Sequence, residues 1–201
     1  STVYDGSRDD LIIERIGDAE IVFTNKTPLS ENVFKNCPKL KFLGILATGY
    51  NVVDVDAARK LGITVTNIPN YSTQSVAQMA VALLLELTNH VWIHNEAIKN
   101  GEWNRIGEWC FWKKPLIELD NKTAGIIGYG RIGRATSKIV QSMGMKVIAY
   151  NRHQNKNLEN DNMKYGTLED VFGKSDVIFL HCPLTDDTRG IINRQSISKM
   201  K

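Results

Sequence analysis

Gly128, Gly130 and Gly133, in the run TAGIIGYGRIGRATSKIV, constrain the fold of this chain more than any other feature, because a short apolar strand precedes them and a helix follows without a gap. A G-x-G-x-x-G pattern alone arises often by chance. Here residues 124–127 read as a buried strand, and Ile132, Ala135, Ile139 and Val140 recur at helical spacing. A second strand over residues 146–150 closes a βαβ unit of about thirty residues. Each glycine then has its own physical role, in which Gly128 makes the tight turn, Gly130 lets backbone approach a pyrophosphate, and Gly133 allows helix to pack closely on strand. The helix N-terminus offers N–H groups and partial positive charge to phosphates.

The bulk composition fits an ordinary globular chain. Its 201 residues, 42% hydrophobic, suffice for one or two domains. The net charge of +3 is dispersed, with no block of like charges, so neither nucleic acid nor an acidic membrane surface is indicated. Cys37, Cys110 and Cys182 are widely spaced and form no C-x-x-C, which speaks against a disulfide framework or a zinc site and for a reducing, cytoplasmic compartment. The most apolar stretch, 79–85, meets Glu86 long before the roughly twenty residues that span a bilayer.

Short apolar runs alternate with helical ones over residues 19–70, the pattern of a parallel α/β layer. Residues 70–73 form a polar break in which Ser72 or Thr73 is placed to cap the next helix. The pattern predicts one long helix over 74–99, ended by Asn100 and Gly101, with a first half so apolar that it belongs between layers or in a subunit interface. His90 and His94 stand at i, i+4 on it, but without a neighbouring carboxylate or cysteine set they do not suggest a metal pair, and no metal is expected. A connector over 102–119 carries Trp103, Trp109, Phe111 and Trp112 with little periodicity, serving either as interface or lid or as core filling.

With the long helix, the glycine turn and the segment HCPLTDDTRGIIN from residue 181 in this order, the chain resembles the D-isomer-specific 2-hydroxyacid dehydrogenases along essentially its whole length. NYSTQSVAQ at 70–78, GEW at 101–103 and FWKKPLIEL at 111–119 resemble the glycerate dehydrogenase and hydroxypyruvate reductase branch. The resemblance implies an α/β chain with a partial flavodoxin-like substrate domain at 1–72 and a partial Rossmann, doubly wound dinucleotide-binding domain at 73–201. It implies a homodimeric oxidoreductase that reduces a small 2-keto acid to the D-2-hydroxy acid with NADP or NAD. Phosphoglycerate and D-lactate dehydrogenases, and a non-catalytic NAD(P)-sensing corepressor or scaffold, are the alternative readings.

By the same resemblance, Thr48, Gly49, Tyr50 and Asn51 present backbone N–H groups to the substrate carboxylate, as a glycine loop after an apolar strand can do; a plain strand-to-helix turn is the bland alternative. Ser75 and Val76 open the long helix near the nicotinamide, and Gln78 stands where many relatives have glutamate. Arg131 and Ile132 contact the pyrophosphate, while His181, Cys182, Pro183 and Thr188 line the ribose side of the cofactor. The second strand ends in Asn151 and Arg152, not in the acidic residue that accepts the ribose 2′-hydroxyl of NAD. An amide removes a charge that repels a 2′-phosphate, and an arginine can bind one bidentately, which favours NADP or dual use; otherwise Arg152 is a solvated surface residue and NAD still binds.

Hydride transfer to a ketone needs a general acid, and His181 is a candidate by position. The first half shows only three strands where a parallel sheet needs several, and the family draws its catalytic arginine, carboxylate and histidine from segments that follow residue 200, so the chain is expected to be truncated at both ends and to lack a catalytic residue of its own.

Overall fold

The computed structural model describes all residues, Ser1 to Lys201, as two compact units, Ser1–Tyr71 and Ser72–Lys201. The first unit runs α1 (Ile12–Ile16), β1 (Ile21–Thr24), α2 (Glu31–Asn36), β2 (Phe42–Ile45), α3 (Val55–Lys60) and β3 (Thr64–Thr66). Its strands form one parallel sheet in the order β1-β2-β3, with Thr24 opposite Ile45 and Leu43 opposite Val65. Parallel strands need both faces covered, and Leu29, Val33, Phe34, Ala57, Ala58 and Ile63 bury the central Leu43 and Ile45. Asp54 starts α3 by accepting the Ala57 N–H at 3.0 Å.

The second unit continues with α4 (Thr73–Asn89), α5 (Val91–Lys99), α6 (Glu102–Ile106), β4 (Thr123–Ile127), α7 (Arg131–Ser142), β5 (Lys146–Tyr150), β6 (Met163–Tyr165), α8 (Leu168–Lys174), β7 (Val177–Leu180) and α9 (Arg194–Ile197). Its strands are all parallel in the order β6-β5-β4-β7, so the chain reverses its direction of winding beside β4. In such open sheets the crevice beyond the carboxyl ends at the reversal is the ligand position. Ala124 and Ile126 pack with Val140, Val147, Ala149 and Phe179, and α4 adds Val81 and Leu84 to the same core. Ile127, on the opposite face, packs on Val171 and Phe172 of α8.

The helix expected over 74–99 is two helices bent by 61°. His90 adopts the left-handed conformation, with φ 51°, which ends α4 and starts α5, so His90 and His94 do not lie on one continuous helix face. His94 Nδ1 lies 2.7 Å from the His90 carbonyl and its Nε2 accepts the Lys113 N–H at 3.2 Å, so the ring ties the connector to the break. The Glu86 carboxylate reaches across the bend to the Trp92 N–H at 3.3 Å. No single helix is long and apolar enough to cross a membrane.

Burial of α4 is one-sided: Ala77, Val81, Leu84 and Thr88 are inside, whereas Val76, Met79, Leu83 and Leu87 face outward. The connector contains the short α6 between left-handed Gly101 and Gly107. Phe111 packs against Trp103 and His94, with ring centroids 5.3 and 5.9 Å apart, while Trp109 and Trp112 are exposed. Ser72 precedes α4 without a side-chain cap bond. Asn193 caps α9 through the N–H groups of Gln195 and Ser196, and that helix is a single turn.

Candidate functional site

Three loops leave the carboxyl edge of the second sheet beside one another because β5, β4 and β7 are parallel neighbours. The loop after β4 holds the three glycines. Gly128 has φ +97°, and a Cβ there would stand 2.5 Å from the His181 carbonyl carbon and overlap the Cys182 amide, so only glycine lets the β4 and β7 loops close up. A Cβ on Gly133 would strike the Gly128 carbonyl, which sets how closely α7 packs on the turn. Gly130 differs: a Cβ there meets nothing within 4 Å. The space before the first turn of α7, which begins without a side-chain cap, is therefore open. An uncapped helix start facing open space suits an anion.

The loop after β5 is tied to the glycine turn. Gly128 donates to the Tyr150 carbonyl at 2.9 Å, and the Tyr129 N–H donates to Asn151 Oδ1 at 3.2 Å. Asn151 Nδ2 donates to the His153 carbonyl at 2.7 Å. A carboxylate could accept from Tyr129 but could not donate to His153, so this geometry requires the amide. Arg152 is exposed, and its Nη1 lies 3.4 Å from Asp187 Oδ2 in the loop after β7.

In that third loop, His181 donates its N–H to the Ile127 carbonyl at 2.7 Å and stacks on Phe179. His181 Nε2 and Thr136 Oγ1 of α7 are 3.0 Å apart. Burial lowers the His181 pKa below its ordinary value by disfavouring the charged ring. Cys182 and Pro183 follow on the same edge, Cys182 half-buried against Ile127, Val171 and Phe172. The Thr188 hydroxyl donates to the Pro183 carbonyl at 2.6 Å and accepts the Thr185 N–H at 2.8 Å, closing the loop on itself.

The structure thus gathers Gly128, Gly130, Arg131, Ile132, Gly133, Asn151, Arg152, His181, Cys182, Pro183 and Thr188 on one edge. Ser75 sits exposed in the first turn of α4, with no hydrogen bond drawing it to that edge. In the other unit, residues 48–51 follow β2 and are all exposed. Thr48 Oγ1 donates to the Ile68 carbonyl and Asn67 donates to the Thr48 carbonyl, both at 2.9 Å, which fixes the loop. The backbone N–H groups of Gly49, Tyr50 and Asn51 donate to no carbonyl of the protein and are open to an anion.

Four participants, Tyr129, Ser137, Thr136 and Asp187, are not evident from sequence motifs. Tyr129 donates its hydroxyl to Ser137 at 2.9 Å. Thr136 holds His181, and Asp187 meets Arg152. Thr136 and Ser137 do leave a signal, as polar residues on the inward stripe of α7 where an apolar residue is the default.

Residues 81–201 match the family model described as D-isomer specific 2-hydroxyacid dehydrogenase, NAD binding domain. Hydroxypyruvate reductase of Blautia hydrogenotrophica is 57% identical over 190 residues, 94% of this chain and 59% of the relative. Among solved structures, D-lactate dehydrogenase from Aquifex aeolicus complexed with NAD and lactic acid superposes with a TM-score of 0.81 at 31% identity, over 94% of this chain and 56% of that one. An acyclic imino acid reductase in complex with NADPH and D-Arg superposes with a TM-score of 0.82 at 28% identity, over 99% and 62%. The chain spans about three-fifths of the length of these proteins.

Proposed function

Because this chain belongs to the D-isomer-specific 2-hydroxyacid dehydrogenase family, we propose that it carries the dinucleotide site and part of the substrate site of a reductase that converts hydroxypyruvate or glyoxylate to the D-2-hydroxy acid or its achiral counterpart. The observation that carries this reading is the glycine turn: Gly128 and Gly133 have no room for a side chain, whereas Gly130 opens onto free space at an uncapped helix start. That arrangement fits a pyrophosphate. The 57% identity to a hydroxypyruvate reductase supports the substrate class.

When bound, the reduced nicotinamide supplies a hydride to the keto carbon. The chain's own residues bind and orient. Gly130, Arg131 and Ile132 receive the pyrophosphate through the start of α7, with Gly128 and Gly133 shaping the turn. Asn151 holds the turn to β5, and Arg152 meets the 2′ position of the adenosine ribose. Cys182, Pro183 and Thr188 border the ribose side of the cofactor, and Ser75, exposed at the start of α4, stands on the nicotinamide side. The N–H groups of residues 48–51 receive the substrate carboxylate. His181, with Nε2 beside Thr136, braces β7 against α7 on the ribose side of the cofactor.

Arg152 with an amide at Asn151, in place of a carboxylate, favours NADPH or dual use. The three free cysteines support a reducing cytoplasm, and the outward apolar face of α4 supports a homodimer. The test is a keto-acid panel with the full-length protein, following NADPH and NADH oxidation. Turnover fastest with hydroxypyruvate or glyoxylate is expected. Faster turnover of pyruvate or a phosphorylated keto acid would reassign the substrate, and nucleotide binding with no turnover would favour a sensing role. A clear NADH preference would overturn the reading of Asn151 and Arg152.

A further inference from the structure

The ion pair between Arg152 and Asp187 joins two loops whose strands are not neighbours. β4 lies between β5 and β7, so at about 4.8 Å per strand the pair bridges roughly 10 Å across the end of β4, where the glycine turn emerges. The contact is a single long one, Nη1 to Oδ2 at 3.4 Å, with the side chains 77% and 76% exposed. Such a pair adds little to folding. It leaves most of the guanidinium donors open to a ligand.

We infer that Asp187 is a specificity-determining residue for the dinucleotide, opposing a 2′-phosphate at Arg152 while tolerating a 2′-hydroxyl. The inference rests on the reading of Arg152 as the group at the ribose 2′ position. A 2′-phosphate drawn to that guanidinium brings nearly two negative charges beside a carboxylate already there. A neutral hydroxyl meets no such repulsion and finds in Asp187 an acceptor. The carboxylate absent from position 151 is thus supplied from another loop, and Arg152 and Asp187 pull the preference in opposite directions.

The test is a titration of NADPH and NADH into the full-length protein, followed by nicotinamide fluorescence, for the unaltered protein, Asp187→Asn, Asp187→Glu, Arg152→Ala and the double variant Arg152→Ala with Asp187→Asn. Asp187→Asn is expected to tighten NADPH binding about two- to five-fold relative to NADH, the range for an exposed charge pair. Asp187→Glu should keep the original ratio. The gain should shrink in high salt and persist in the Arg152→Ala background, where the carboxylate still faces the phosphate. If Arg152→Ala weakens NADPH selectively but Asp187→Asn leaves the NADPH-to-NADH ratio unchanged, the role of Asp187 is overturned and the reading of Arg152 stands. If Arg152→Ala leaves the ratio unchanged, both fall.

Discussion

The glycine turn separates two demands that a motif alone merges. Gly128→Ala places a Cβ against the backbone of His181 and Cys182 at φ +97°, where no flexible side chain can yield. A loss of about 2–4 kcal/mol in urea unfolding is expected, with dinucleotide binding lost as a consequence. Gly130→Ala meets only open space, so stability should fall by about 1 kcal/mol or less, as for a glycine replaced at a helix start, while NADH or NADPH binding weakens tenfold or more. Equal loss of stability in both variants would refute this division. His181 gives a second residue-scale outcome. Its folded pKa is depressed by burial, so the unfolded chain takes up a proton at higher pH than the folded one. Stability from this group is complete above about pH 6.5, falls as pH drops through 6.5 toward the lower folded value, and then levels off. Unfolding curves across that window should flatten in His181→Gln; an unchanged slope would assign the pH dependence elsewhere.

At the scale of elements, strands and the βαβ unit were legible because apolar runs of four or five residues bounded by glycine and polar breaks leave few alternatives. The break at His90 was not. Apolar spacing continues through Leu84, Leu87, Val91 and Ala97, and no glycine or proline marks the bend. What ends α4 is one left-handed residue, held by a tie from the distant Lys113 to the His94 ring and by Glu86 reaching over the bend to the Trp92 N–H. Local pattern cannot register such ties. Asn151 shows the same limit, since its residue type suggested a cofactor preference while its amide also staples the β5 loop to the glycine turn. Because His90 is a non-glycine residue at φ 51°, His90→Gly should stabilise the protein by about 0.5–1 kcal/mol. The His90 carbonyl that faces His94 is retained in that variant. Destabilisation in chemical denaturation would mean that the His90 ring contributes packing exceeding the relief of backbone strain.

For the whole molecule, each unit has its own parallel sheet and core, and each presents one open backbone cradle at a carboxyl edge. Among the apolar groups that the cores do not absorb is the outer face of α4, where Met79, Leu83 and Leu87 are 60%, 59% and 69% exposed and are followed by exposed Val91 and Trp92 beyond the bend. A contiguous apolar stripe of this length on a helix otherwise well packed against α7 is costly in water. A second copy, applying its own stripe about a two-fold axis, would cover it symmetrically. Light scattering on the full-length protein should therefore give twice the chain mass at micromolar concentration. Leu83→Lys together with Leu87→Lys should give the single-chain mass, with far-ultraviolet circular dichroism unchanged because neither side chain enters the core. A monomer before substitution would show that the stripe serves some other surface, and a dimer after it would place the interface away from α4.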